Sequence, residues 1–576
     1  MIASPLMRRL ILLPAFLLSA TAPVAHAQTA APAAPATAEA RVVVVDPALA
    51  GIDSALTALY PADEPGAAVL VARDGRVLMR KAYGSASVEL GVPLRPEHVF
   101  RLGSITKQFT AVATLMLVDE GKVSLDDEIT RFFPDYPTQG RRITVEHLLT
   151  HTSGIQSYTG MPAYVAGMRR DLTTQQLIAM FRDQPMEFAP GERWNYNNSG
   201  YALLGAIIDK VSGLTYADFI RTRIFQPLGM RSSFYETAND IIPGRVSGYD
   251  RTGEGLRAAN YLSMTQPYAA GSLISTVDDV LTWQRAVAEG RLLKPETWRR
   301  AFTPYRLSDG RSAGYGYGWF VGQAVGRPSI EHGGDINGFS SNGLWIPSER
   351  LHVIVLSNRE REGERDPDAI SRQIAERLLG TPAPPPAFAV APEALDGYVG
   401  VYRVSEVENR VVTREGGALF SQRGRSTRLE MTPVGQDEFL LPTGTRVRFV
   451  RGADGAVTGM LLRPRIGPED LSVRTAQVVE QAAAATPVRV PAEVLDRYVG
   501  RYELAPDFIV TVRRDGDVLR AQPTGQPETA MVAESETRFT VAEANAVVVF
   551  ESDASGTVTR LVLHQGGRQL PARKLP

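Results

Sequence analysis

The chain has 576 residues, a formal net charge of −1, 44% hydrophobic and 22% charged residues, and no cysteine. That apolar fraction excludes wholesale disorder, and the near-neutral charge leaves no basic excess to displace counterions from nucleic acid. Without cysteine there is no disulfide framework, thiolate nucleophile, Cys-held zinc or iron–sulfur cluster. The length suggests about three or four domains.

Arg8 and Arg9 precede an apolar run from Leu10 to Ala20, and Ala25-His26-Ala27 offers a small-x-small cleavage site. The pattern predicts a signal peptide over 1–27, a mature chain from Gln28, and a periplasmic or secreted location. The run is too short for a bilayer span of about 20 apolar residues, so no membrane insertion is expected. Residues 28–45 open on an Ala/Pro/Thr-rich stretch and are expected to act as a flexible tether.

A first globular segment is expected over 46–380. It opens with two strands, Ala67–Ala72 and Val77–Ala82, around the turn Asp74-Gly75. Helical patterns fill the middle. A second hairpin, Leu344–Ile346 and Leu351–Leu356 around Pro347–Arg350, is followed by a helix through Ile370, Ile374 and Leu378 that Gly380 ends. Strands at both ends with helices between predict one sheet assembled from both termini. Thr381–Pro386 reads as a stiff linker.

The remainder is an internal duplication. Glu393-x-Leu395-Asp396-x-Tyr398-Val399-Gly400-x-Tyr402 returns as Glu493-x-Leu495-Asp496-x-Tyr498-Val499-Gly500-x-Tyr502. The offset of 100 holds to Phe439/Phe539 and becomes 101 by Phe449/Phe550, so one residue is inserted between. Short β-branched runs broken by Gly turns predict two small antiparallel β-barrels, 390–476 and 490–576. Their irregular loops after Gln422 and Gln522 are expected to reach a neighbouring cleft. Tyr398 and Tyr498 are read as barrel core rather than a ligand cage.

Lysine is scarce: six residues, against 56 arginines among the 62 basic side chains. One lysine has serine three residues before it, in Ser104-Ile105-Thr106-Lys107, which opens a helix with Ile105, Phe109, Val112 and Met116 on one face. The i, i+3 spacing puts the Lys107 amine one turn above the Ser104 hydroxyl. The helix N-terminus supplies free amides where an oxyanion would form. A buried lysine can turn neutral and accept a proton, whereas arginine stays charged.

Two further motifs follow in order: Tyr196-Asn197-Asn198 before a helical run, and His332-Gly333-Gly334 before Gly343. With Ser104-x-x-Lys107, they make residues from about 50 to 380 resemble the serine β-lactamase and penicillin-binding superfamily, in its class C-like, D-aminopeptidase-like branch. Leu148–Gly154, Gly271–Thr276 and Gly314–Trp319 share the likeness. D-aminopeptidases have a similar catalytic domain followed by two β-barrels. The resemblance implies an α/β (α+β) β-lactamase/transpeptidase-like domain, with an antiparallel sheet and helical subdomain, then the barrels.

It also implies acyl transfer. Ser104 would attack a carbonyl, and Lys107 and Tyr196 would share the proton work, with the base left open between them. Asn198 would orient the substrate amide and Lys107. His332 would hydrogen-bond near Tyr196 and the leaving group. The amides of Ser104 and Asp335 would form the oxyanion hole, and Gly333 and Gly334 would line the substrate site. No cofactor or metal is expected.

The implied function is an exported serine hydrolase of small peptide or ester substrates. The alternatives are an esterase, a D,D-carboxypeptidase or β-lactamase, or a penicillin-binding sensor without turnover. Because His332 stands where class C β-lactamases carry lysine, weak pull on a carboxylate is expected. Two other patterns are read against function. Gly310-Arg311-Ser312-Ala313-Gly314 lacks the preceding apolar strand that a nucleophile elbow needs. His147 and His151 stand at metal spacing, but no Glu follows His147.

Overall fold

The computed structural model describes residues 44–575 except 253–254, 382, 384, 387, 406–407, 425, 478, 480–488, 506–507, 525–527, 542–545, 554 and 566–567. The expected signal peptide, most of the expected tether and most of the segment joining the barrels therefore lie outside the described residues. The tether ends earlier than its expected limit at 45. Val44–Val45 forms strand β1 on Arg80 and Met79, because two apolar β-branched residues gain a sheet edge there.

The first globular region is built on a seven-stranded antiparallel sheet. Its other strands are β2 (Ala67–Arg73), β3 (Arg76–Tyr83), β4 (Phe320–Ala324), β5 (Arg327–Ile336), β6 (Phe339–Ile346) and β7 (Leu351–Ser357), in the order β1-β3-β2-β7-β6-β5-β4. The two ends of the region thus meet where β2 pairs with β7. Asp74 and Gly75 both take positive φ at the β2–β3 turn, as a tight hairpin requires.

Both faces of the sheet are covered, which is why β2 reads as unbroken apolar sequence. Ala68, Leu70 and Ala72 join the larger core with the helical region. Ala67, Val69 and Val71 join a second core with helix α1 (Ala50–Leu59) and the C-terminal helix Pro367–Leu379. Helix α2 (Thr106–Asp119) runs through the larger core. The sequence predicts one apolar face for it, yet every residue from Thr106 to Leu117 is buried. Thr110 and Thr114 tolerate this by bonding the carbonyls of Thr106 and Thr110 one turn back. Helix α3 (Asn198–Ser212) packs beside α2, and Gly213, in the left-handed region, ends it. The C-terminal helix is α4 (Pro367–Leu379).

Two closed eight-stranded antiparallel barrels follow, with strands from Gly400–Arg403 to Asp470–Arg474 and from Gly500–Ala505 to Arg568–Lys574. The duplication is visible in the registers: Gly400 opposes Val412 and Gly500 opposes Val512. Phe439 opposes Val447 but Phe539 opposes Val548, which places the inserted residue in that hairpin. Tyr398 packs on Phe439 and Phe449, and Tyr498 on Phe539 and Phe550, so both tyrosines are barrel core. Among the described residues, no helix is long and apolar enough to cross a membrane.

The first barrel meets the catalytic region through Arg463–Glu469, between its last two strands, and strand Gly500–Ala505 of the second barrel lies near helix Pro162–Gly167; residues 425 and 525–527, in the segments after Gln422 and Gln522, lie outside the described residues. The Arg465 carbonyl accepts from Gln323 of β4 at 2.9 Å. Glu469 accepts from the Ser312 amide, and its own amide donates to the Ser312 carbonyl. The stretch 310–314 is thus the barrel's landing surface rather than a nucleophile elbow.

Candidate active site

Ser104 lies in the 3-10 turn Gly103–Ile105 that leads into α2. Two glycines bring its amide against β5. Gly103 has φ 54°, and a Cβ there would come within 2.9 Å of the Asp335 nitrogen. A Cβ at Gly334 would overlap the Leu102 carbonyl and come within 2.9 Å of the Ser104 nitrogen. Strand β5 is paired to β4 only from Arg327 to Glu331, so His332–Ile336 keeps one edge open beside Ser104.

The Lys107 Nζ is 3.0 Å from Ser104 Oγ and donates to the Ala270 carbonyl at 2.9 Å. Lys107 is fully buried, and desolvation pushes its pKa well below the ordinary value. Among the described residues no carboxylate pairs with it. The Tyr196 and Tyr201 rings lie 4.7 and 5.5 Å from its nitrogen.

Tyr196 comes from the turn before α3. Asn197 caps that helix by accepting from the Gly200 amide at 2.8 Å. The Tyr196 hydroxyl is buried with no hydrogen-bond partner among the described residues. Burial raises its pKa, and the nearby Ser104 hydroxyl works against that rise. Asn198, the first residue of α3, donates from Nδ2 to Thr159 at 2.9 Å. Among the described residues Lys107 bonds Ser104 and Ala270 rather than Asn198.

His332 differs from its expected partner. Its Nδ1 faces the Gly333 carbonyl at 2.6 Å, and a carbonyl can only accept, so Nδ1 carries the proton. Nε2 is therefore the acceptor of the 2.9 Å bond from the Tyr315 hydroxyl. Both ring nitrogens are used inside the protein, and the imidazole is neutral. Burial, helped by the charge of Lys107, lowers its pKa to about 3. Tyr315 was not singled out as a site residue. Its signal was a tyrosine held between glycines, in Gly314–Trp319.

His151 stacks against Tyr196, Tyr201 and Tyr315, with ring centroids 4.4, 5.1 and 4.6 Å away. Its Nδ1 accepts from the Asn197 amide at 3.1 Å, so it positions the Tyr196–Asn198 turn. His147 instead closes a capping box with Thr144.

Two arms leave Ser104. One, about 190 Å³, runs toward Ile336 and is lined by Tyr158, Tyr164, Leu262 and Pro267. The other, about 360 Å³, is lined by Tyr196, His332 and Glu331, by Phe320 and by Ile466 of the barrel loop. Ser104, Asn198 and Asp335 belong to both.

Residues 54–377, more than half the chain, match the Beta-lactamase family, and residues 484–573 match a domain of unknown function, DUF3471. The chain is 30% identical over 431 residues to penicillin-binding protein 4* of Bacillus subtilis, covering 71% of this chain and 94% of the relative. It is 32% identical over 373 residues to a D-aminopeptidase of Gluconobacter oxydans, covering 63% and 68%. Among solved structures it resembles the octameric penicillin-binding protein homologue from Pyrococcus abyssi, at 28% identity and TM-score 0.50 over 73% of this chain and 99% of the other. A D-stereospecific amidohydrolase from Streptomyces matches at 27% identity and TM-score 0.50, over 58% and 99%. The chain belongs to the Beta-lactamase family and is a serine hydrolase of that superfamily.

Proposed function

We propose that this Beta-lactamase-family chain is an exported amidase or esterase of small peptides, acting through an acyl-enzyme on Ser104. One observation carries the reading: the Ser104 hydroxyl sits 3.0 Å from a fully buried lysine that has no acidic partner among the described residues. Desolvation keeps such an amine neutral, and a neutral amine can take the hydroxyl proton as Ser104 attacks. The new bond is Ser104 Oγ to the carbonyl carbon. The carbonyl oxygen turns toward the Ser104 and Asp335 amides, which Gly103 and Gly334 hold close together.

The carbon–nitrogen or carbon–oxygen bond then breaks, and the leaving group takes a proton. Tyr196 and Lys107 are the donors in reach, since the Tyr196 hydroxyl has no other bond and its ring covers the lysine. Asn198 lines both arms and is suited to hold the substrate amide. Water repeats the sequence in reverse to release the acid. His332 acts as a neutral, internally bonded support for this group rather than as a charge.

The D-aminopeptidase-like reading is favoured by the relatives of that name and by the neutral His332, which offers no cation to a substrate carboxylate. A panel of D- and L-aminoacyl nitroanilides, peptidyl-D-alanine, nitrophenyl esters and nitrocefin tests it. Aminoacyl amides and esters should lead. Nitrocefin turned over as efficiently as the best aminoacyl amide would contradict the reading.

A further inference from the structure

The larger arm continues past the catalytic edge of β5. Alternate residues of a strand face opposite sides of a sheet, so Glu331, Gly333 and Asp335 face away from His332 and Gly334. Gly333 has no side chain to fill that side, and a Cβ there would come within 3.0 Å of Arg361 Nη2. The cavity that contains Ser104 therefore extends over Gly333 into a recess lined by Glu331, Asn342, Asp368, Arg361 and Arg372.

Two features of the recess call for a ligand. First, Glu331, Asp335 and Asp368 share the recess with Arg361 and Arg372, and Glu331 is the carboxyl group without a close cation. Arg361 is already held by Asp335 at 3.0 Å and by Asp366, and Arg372 by Asp368 at 2.6 Å. Glu331, 3% exposed, accepts from the Ser329 hydroxyl at 3.2 Å and has Arg372 Nη1 no nearer than 3.6 Å. Burial, opposed by Arg372 and reinforced by Asp368, pushes Glu331 up to about 7. Second, Asn342 is 1% exposed, lines the recess, and its Nδ2 donor has no partner among the described residues. A buried donor left without a bond is destabilising until an acceptor arrives.

The recess lies on the side of the proton-handling groups. Tyr196 lines this arm and not the smaller one, so its hydroxyl, a proton donor in the proposed reaction, lies on the recess side of Ser104. We propose that the recess is the leaving-group subsite and selects leaving groups that carry a second, protonated amine, with Glu331 and Asp368 facing the ammonium and Asn342 donating to an oxygen of the same group. This rests on the acyl-enzyme reading and names its substrate class.

Three peptides sharing one acyl residue test it: D-phenylalanyl-lysinamide, D-phenylalanyl-norleucinamide and D-phenylalanyl-glutamic acid α-amide. The expected order of kcat/KM is lysine above norleucine above glutamate, with lysine about tenfold ahead of norleucine, mainly through KM. In E331Q the lysine-to-norleucine ratio should fall toward one. D368N should lower it as well, and supplies the test if E331Q does not fold. A wild-type ratio of one or below, a lead for glutamate, or no turnover of any of the three by an enzyme whose Ser104 still takes an acylating probe would overturn the proposal. Absence of Ser104 acylation would instead sink the acyl-enzyme reading.

Discussion

The Tyr315 hydroxyl donates to His332 Nε2 at 2.9 Å while His332 Nδ1 donates to its neighbour's carbonyl, so the third motif ends in a neutral ring with no free valence. A lysine at this position would bring a cation into a buried group where His332 is neutral. Histidine keeps the shape of the strand and removes that charge.

This arrangement makes stability depend on pH. In the unfolded chain His332 takes a proton below about 6.5. In the fold it does so only below about 3. Between these values the unfolded state binds more protons, so stability rises with pH and is lost as pH falls from 6.5 toward 3, by up to about 1.4 kcal/mol per unit. H332Q removes this contribution. The difference in unfolding free energy between wild type and H332Q, from urea titrations at pH 7 and pH 4.5, should shrink at the lower pH. A difference independent of pH would show that the histidine is not held neutral.

Lys107→Arg should be nearly as damaging as Lys107→Ala, lowering kcat by at least about a thousandfold. A guanidinium cannot take the Ser104 proton, and among the described residues no carboxylate pairs with the Lys107 position to compensate its burial. Substantial activity in the arginine variant would show that the site needs only a positive charge.

Gly334→Ala should lower kcat by about 10²–10³ while circular dichroism stays native. The added methyl would meet the Leu102 carbonyl, the Ser341 hydroxyl and the Ser104 amide, so Ser104 and Asp335 must separate. An unchanged kcat would place the oxyanion elsewhere.

Truncation after Thr381 should leave a folded catalytic region, which has its own two cores and closing helix α4. It should change specificity, because Ile466 lines the larger arm and the barrel loop is bonded to β4 and Ser312. Substituting Ile466→Gly alone should alter ranking across leaving groups more than across acyl groups. An identical ranking in both variants would show that the first barrel does not shape the cleft.

Much of this was legible in the sequence because the carriers are local. The Asp74-Gly75 hairpin, the Gly380 stop and the Ser104–Lys107 spacing each depend on a few adjacent residues. The barrels were legible because duplication repeats the Gly and aromatic positions. What sequence did not disclose is set by tertiary contact. The burial of α2 on all sides depends on what surrounds it. The Tyr315–His332 bond joins two residues across separate strand and loop segments. Asn198 turned to Thr159 because the turn near Tyr158 lies beside α3. Pro464, Gly467 and Pro468 mark Arg463–Glu469 as a loop, but nothing in those residues names the surface it meets.

The most direct measurement is the site of acylation. The enzyme is treated with a fluorophosphonate or penicillin-type probe, digested, and the adduct located by mass spectrometry, with Ser104→Ala in parallel. The account predicts one adduct, on the peptide containing Ser104, and none in the variant. Label on Ser312, or label that persists in Ser104→Ala, would contradict it.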